Sequence, residues 1–246
     1  VVIINEPFRK SDRDEEVLDK SGEPIPIFGA SRFSSCDWNH YADRVPELKK
    51  PITDDLSKIF DLGNEVHLDD NYLSEGARNI LEREEYMRII HVSETWGVSG
   101  LLDYDKFNFS SGKYIEDMKS TKIGGFFFFL KEKVKPEDKG QMSIYAYMKY
   151  VITGTKRYKG VIRKIDKEEP LNQLQLVTDL FDIEFIRNFL INHPVKKTIL
   201  GHMTPEKLAE QCANKMRPEI NKSTGEHWRC MNCAYADGSC PVRQQI

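Results

Sequence analysis

The chain has 246 residues, 39% of them hydrophobic and 30% charged, with a net charge of −3 and a mean hydropathy of −0.55. That length buries one large core, or one domain with a small appended one, and excludes a disulfide-stapled mini-protein. No apolar run reaches the roughly eighteen residues of a membrane helix, so no membrane partner is expected and a cytoplasmic setting is, in a cell or an infected host.

Residues 1–30 are polar and dotted with Pro7, Pro24 and Pro26, and read as an extended arm. No secretory signal is recognisable, and a first residue of Val1 leaves room for a preceding segment. From Ser31 to about Arg44 a helix is expected, with Phe33, Cys36, Trp38 and Tyr41 as its apolar members. Beyond Pro46 and Pro51, Thr53 suits the N-cap of a helical region running to about Tyr86, with a break near Gly76. The pattern then changes to strands at Arg88–Glu94, Val98–Tyr104 and Lys113–Lys119. Residues 137–152 return to helical spacing, with Met142, Tyr145, Met148 and Ile152 on one face. Tyr158–Ile165 and Leu174–Val177 read as strands, and Phe181–Ile191 and Pro205–Met216 as helices. The alternation predicts an α/β fold, a mixed central sheet flanked by helices. No internal repeat or low-complexity tract interrupts it. The expected organisation is an arm at 1–30, a main domain at 31–229 and a cysteine segment at 230–246 that folds back onto the helix carrying Cys36.

Chemistry concentrates in the middle of the chain. Asp103 ends Gly100-Leu-Leu-Asp103, and Asp117 and Lys119 stand in Ile115-Glu-Asp117-Met-Lys119. On a strand, alternate residues share a face, so Asp117 and Lys119 project together while Met118 turns to the core. A preceding strand of the same sheet brings Asp103 alongside. Two neighbouring carboxylates repel unless a cation lies between them, and hard oxygen donors suit Mg²⁺ or Mn²⁺. The ammonium beside them can orient a metal-bound water or stabilise charge building on a phosphate. An Asp-x-Lys alone is more often a solvated strand face. Here Gly63-Asn-Glu-Val-His67 lies upstream, where His67 can add a ligand. Downstream, Gln141 and Tyr145 stand one helical turn apart on one face.

The ordered series G-x3-H, G-x2-D, D-x-K and Q-x3-Y resembles the RecB-type branch of the PD-(D/E)XK nucleases. With Cys36, Cys230, Cys233 and Cys240 it is similar to the iron–sulfur members of that branch, among them the CRISPR-associated adaptation exonucleases and their phage-borne relatives. The resemblance covers roughly residues 31–241 and implies a restriction-endonuclease-like core. It makes His67, Asp103 and Asp117 metal ligands, Lys119 the catalytic lysine, and Gln141 and Tyr145 helix residues that contact the DNA or the attacking water. It implies a DNA exonuclease working on single-stranded ends, with 5′→3′ polarity favoured. One departure touches the subfamily: Asp37, Trp38 and Asn39 stand where the CRISPR-associated members commonly carry an arginine.

The chain has five cysteines, in a composition unlike that of a secreted scaffold. Cys230, Cys233 and Cys240 offer three thiolates in one loop, one fewer than a four-coordinate site needs. A zinc ribbon usually supplies two C-x2-C pairs, and one is present. The resemblance implies a [4Fe–4S] cluster completed by Cys36, with zinc as the alternative occupant. Cys212, at helical spacing from Leu208 and Met216, reads as a buried structural thiol, with replacement of Cys36 as the fourth ligand its alternative. Such a clip between distant parts of the chain acts as a structural staple.

Three signals are weaker. Phe126–Phe129 suit either a stacking platform for single-stranded DNA or a packed core and subunit interface. The run from Lys156 to Lys164 alternates basic and apolar residues, and suits either phosphate tracking or a solvated strand face. His40, His91, His193, His202 and His227 have no partners visible in the sequence. A net negative chain gives nucleic acid no global attraction, so a nucleic-acid enzyme of this balance must concentrate its Lys and Arg locally. Against the nuclease stand a DNA-binding or scaffolding subunit, gripping DNA, a partner protein or a second copy, and a zinc-stapled protein without activity. The clustered carboxylates favour the enzyme, because a retired site has no physical reason to keep them.

Overall fold

Runs of β-branched and aromatic residues build two four-stranded sheets in the computed structural model, which describes residues 2–4, 22, 27–31, 36–48, 85–93, 96–102, 104–109, 112–121, 134, 136–166, 173–219, 227, 230, 233, 235 and 240–245. The first sheet holds β1 (Val2–Ile4), β2 (Ile27–Gly29), β3 (Glu85–Ser93) and β4 (Trp96–Leu102) in the order β1-β3-β4-β2. β3 runs antiparallel to β1 and β4, whereas β2 lies parallel to β4. The second sheet holds β5 (Tyr104–Phe109), β6 (Gly112–Thr121), β7 (Tyr158–Asp166) and β8 (Gln173–Leu180) in chain order. β5–β6 is an antiparallel hairpin, β6–β7 is parallel, and β7–β8 is antiparallel. A parallel pair needs a crossover, and the long helix at Pro136–Thr153, between β6 and β7 along the chain, supplies it.

The fold class is therefore the expected one: α/β, with mixed sheets and flanking helices. The strands divide between two sheets, and the first 30 residues contribute β1 and β2 where the sequence reads as an extended arm. β5 is a further strand that the sequence reading lacks. The Ser110-Ser-Gly112 turn between aromatic runs is the signal that could have found it. Of the helix expected at Thr53–Tyr86, residues 51–84 lie outside the described residues, and Glu85 and Tyr86 open β3.

Among the described residues the α-helices are α1 (Asp37–Ala42), α2 (Pro136–Thr153), α3 (Ile183–Ile191), α4 (Pro194–Ile199) and α5 (Pro205–Met216). α2 begins on a proline, whose missing N–H costs nothing there, and has Glu137 and Asp138 in its first turn. It stops at Gly154, whose φ of +74° allows the left-handed turn and whose N–H bonds Tyr150 O at 2.7 Å. α2 packs close against Gly160 of β7, where an added Cβ would meet Met142 and Phe181 at 3.1 and 3.2 Å. A register shift on β7 between Lys159 and Val161 accompanies this approach, and the Gly160 N–H is satisfied by Thr178 Oγ1 at 2.7 Å.

Two compact units divide the chain: Val1–Ser34 with Asp61–Leu190, and Ser35–Phe60 with Ile191–Ile246. The first holds both sheets, α2 and all of α3 but its last residue, around a core that includes Phe28, Val98, Leu102, Ile115, Met142, Met148, Tyr158 and Ile162. The second packs α1, α4 and α5 with the C-terminal loop. Its core joins Trp38 of α1 to Leu208, Ala209, Cys212, Ala213 and Met216 of α5 and to Cys240 and Val242. The cysteine-bearing unit thus resumes at Ile191, well before the segment at 230. No described helix is long and apolar enough to cross a membrane.

Candidate active site

β6 lies between β5 and β7, so both of its edges are paired, and Ile115, Glu116, Asp117 and Met118 are all buried. Strand alternation sends Asp117 and Lys119 to one face and Glu116 and Met118 to the other. On the latter, the Glu116 carboxylate is taken by Arg163 of β7 at 2.5 Å. Gln175 of β8, with its amide oxygen turned to Arg163, accepts from the guanidinium at 2.8 and 3.3 Å. That face is a closed structural network.

The Asp117 face meets α2. Lys119 Nζ lies 2.7 Å from Asp117 Oδ2 and donates to Gln141 Oε1 at 2.9 Å. Gln141 Nε2 donates to Tyr145 Oη at 2.8 Å and, over a longer 3.4 Å, to Asp117 Oδ1. Four of the residues singled out in the sequence, Asp117, Lys119, Gln141 and Tyr145, therefore form one cluster. Its geometry follows from two local periods: two residues along β6, and one turn along α2. Gln141 sits between the two charges, its amide oxygen to the ammonium and its amide nitrogen toward the carboxylate. Asp117 is 3% exposed, whereas the Lys119 side chain is 31% exposed, so the cation reaches solvent while the carboxylate stays shielded. A carboxylate buried like this is tolerated because a cation and an amide donor stand on it.

Gly100, of the G-x2-D motif, explains why Tyr145 can occupy its place. A Cβ at residue 100 would collide with the Tyr145 ring edge and crowd the Ala30 methyl at 3.1 Å. Asp103 and His67 lie outside the described residues, as does the Phe126–Phe129 run. Tyr104, which follows Asp103 in the chain, pairs with Glu116, the neighbour of Asp117. Among the described residues no group of three or more His, Cys, Asp or Glu is drawn into coordinating geometry. The part of the divalent-metal donor set that is described fits a hard cation: one buried carboxylate, with an ammonium beside it as countercharge.

Sequence reasoning missed one pair next to this cluster. Lys164 of β7 is paired with Asp138 of α2 at 2.6 Å, both side chains buried. The basic run at 156–164 is thus neither a phosphate track nor a solvated face at its far end, since Arg163 and Lys164 are committed to Glu116 and Asp138. At its near end, Lys156 lies 3.4 Å from Glu184 and over the Tyr150 ring.

The cysteines gather in the second unit. Cys36 precedes α1 as its N-cap residue, and the C-terminal loop folds back onto that helix as expected. Asn39 Nδ2 donates to Cys233 Sγ at 3.1 Å, and Tyr235 Oη donates to Asp43 Oδ1 at 2.7 Å. Cys233 N–H bonds Cys230 O at 3.3 Å, which closes the C-x2-C turn. Hydrogen bonding with Cys212, followed by burial, holds the Cys36 thiol far above the ordinary thiol range. Burial, then the neighbouring thiols Cys36, Cys233 and Cys240, push Cys230 up to about 11. The Cys240 thiol is raised by burial first, with Cys36 and Cys233 adding to it. Burial first, and one another's charge second, keep Cys230 and Cys240 protonated, an effect that a bound cation would oppose. Soft thiolate donors suit either an iron–sulfur cluster or zinc, although among the described residues they are not drawn into coordinating geometry. Cys212 is buried in the helical core and touches Cys36, so both of its sequence readings keep a structural basis.

Beside Cys36, Asp37 accepts from Lys215 at 2.7 Å and lies 3.7 Å from His193 Nε2. Burial opposes the Lys215 charge, but the carboxylate outweighs it and raises its pKa. His193 accepts the Val195 N–H at Nδ1 and caps α4. Burial outweighs Asp37 and lowers the pKa of His193 to about 4, so at neutral pH the ring is uncharged, with its proton on Nε2.

No family model and no curated protein matches the chain. Among solved structures it is similar to the crystal structure of SSO0001, at 15% identity and a TM-score of 0.45 over 82% of this chain and 88% of that one. It is also similar to LHK-Exo in complex with dAMP, at 18% identity and a TM-score of 0.44 over 78% of this chain and 92% of that one. A further structure of that protein, an alkaline exonuclease from Laribacter hongkongensis, matches at 17% identity and a TM-score of 0.43, with 78% and 92% covered.

Proposed function

We propose that the chain is a Mg²⁺- or Mn²⁺-dependent DNA exonuclease of the RecB-like PD-(D/E)XK type, acting on single-stranded ends with 5′→3′ polarity. The observation that carries this reading is the closed cluster of Asp117, Lys119, Gln141 and Tyr145, built from two motifs on different elements. A buried carboxylate beside a partly exposed ammonium is the pairing that phosphodiester hydrolysis needs: an anionic anchor for a cation, and a positive group facing the phosphate.

Asp117 would hold the divalent ion together with Asp103 and His67. The bound ion supplies Lewis acidity and neutralises phosphate charge. Hydrolysis adds the oxygen of water to phosphorus and breaks one P–O ester bond. Lys119, on the solvent side of the cluster, meets the negative charge that builds on the phosphate oxygens. Gln141 fixes the Lys119 head through its amide oxygen, and Tyr145 fixes Gln141. A [4Fe–4S] cluster would be held by Cys36, Cys230, Cys233 and Cys240 as a staple of the second unit, outside the hydrolytic chemistry.

End-labelled single- and double-stranded DNA, digested with Mg²⁺, with Mn²⁺ and with EDTA, tests the reading. Mononucleotide release from 5′ ends of single strands, abolished by EDTA, is the expected result. DNA binding without cleavage in either metal would make the protein a scaffolding or binding subunit instead.

A further inference from the structure

The strand register sets two lysines side by side. In the parallel β6–β7 pair, Lys119 is the partner of Lys164 and Asp117 is the partner of Ile162. Partners across a parallel ladder project to the same face, about 4.8 Å apart at the backbone. Lys164 is therefore directly beside Lys119 and diagonal to Asp117, and like charges so placed repel. Yet Lys164 is 3% exposed, too buried for water to screen its charge. Each ammonium has its own carboxylate: Lys119 has Asp117 at 2.7 Å, and Lys164 has Asp138 at 2.6 Å. Asp138 stands three residues before Gln141 on α2, so one helix face serves both pairs. Asp166, two residues beyond Lys164 and fully buried, shares this face of β7 further along.

We propose that Asp138 is a charge-compensating residue of the metal site: by neutralising Lys164 it keeps that buried cation from competing with a divalent ion for Asp117. The inference rests on the divalent site proposed above. It separates two jobs that the sequence alone would assign to any Lys or Asp near the motif. Lys119 is the ammonium that faces solvent, and Lys164 is the one that must be silenced.

The charge account makes an ordered set of predictions for Mn²⁺ binding by calorimetry, read without DNA or turnover. Asp138→Asn removes the carboxylate beside Lys164 and should weaken Mn²⁺ binding about fivefold at the least, the effect of a like charge roughly 8 Å from a divalent ion under water's own screening, and more where burial weakens that screening. Lys164→Met in the same chain should restore the wild-type affinity, because no charge is left to compensate. Lys164→Met alone leaves an extra anion and should bind Mn²⁺ more tightly than wild type, which keeps the test open if Asp138→Asn fails to fold. A purely structural ion pair predicts the opposite, with the double variant no better than Asp138→Asn and Lys164→Met weaker than wild type. That pattern, or Asp138→Asn binding as wild type does, overturns the inference while the metal site stands. If Asp117→Ala binds Mn²⁺ as well as wild type, the metal site itself is wrong and the inference falls with it.

Discussion

Gln141 is the residue on which the site turns, because a neutral amide serves opposite charges at once, its oxygen facing Lys119 and its nitrogen Asp117. Lys119 holds no metal in this account, so Lys119→Ala should lower cleavage by orders of magnitude while Mn²⁺ affinity is kept or rises, because a cation leaves the side of Asp117. Calorimetry on that variant alongside its turnover separates the two roles, and a collapse of Mn²⁺ binding with turnover spared would exchange them. Gly100 carries a second prediction at this scale. A methyl there cannot fit beside Tyr145, so Gly100→Ala should destabilise the first unit by about 1–3 kcal/mol in urea denaturation, the usual cost of overpacking. Because the displaced ring also lets go of Gln141, cleavage should fall even where the variant stays folded. Normal turnover with unchanged stability would remove Tyr145 from the site.

At the scale of the element, α2 and β6 were legible because each rests on a local period. Met142, Tyr145 and Met148 mark the buried side of a helix, and Asp117 and Lys119 recur every second residue on a strand. The pair between Lys164 and Asp138 was not legible, since 26 residues separate its members and only the packing of α2 on β7 brings them together. β5 escaped because it is short and its polar residues blur the alternation, and α4 because one turn and a half gives too little period to see. The capping of α4 yields a prediction in pH. His193 is depressed to about 4 in the folded protein by burial, against an ordinary 6.5, so the unfolded chain takes up the proton first as pH falls. The stability this gives is complete above pH 6.5 and is lost progressively between 6.5 and about 4. Thermal melts should show this loss in wild type and a flatter profile over the same range in His193→Gln. Equal slopes in the two proteins would place the titrating group elsewhere.

Across the whole molecule, the Asp117 cluster stands in one compact unit and the thiols in the other. A cluster held by the thiols would link Cys36 to a loop about two hundred residues away, and closing so long a loop would restrict the unfolded chain. Anaerobically purified protein should therefore be brown, with about four irons per chain from the four-thiolate count. Cys36→Ala should lose colour and stability together, and Cys212→Ala should keep both. Stoichiometric zinc without iron would replace the cluster and leave the nuclease account standing. That account is tested most directly by Asp117→Ala, compared with wild type at equal Mg²⁺ on end-labelled single-stranded DNA. Cleavage should vanish while far-ultraviolet dichroism and DNA binding stay close to wild type; cutting at a near wild-type rate would contradict the assignment.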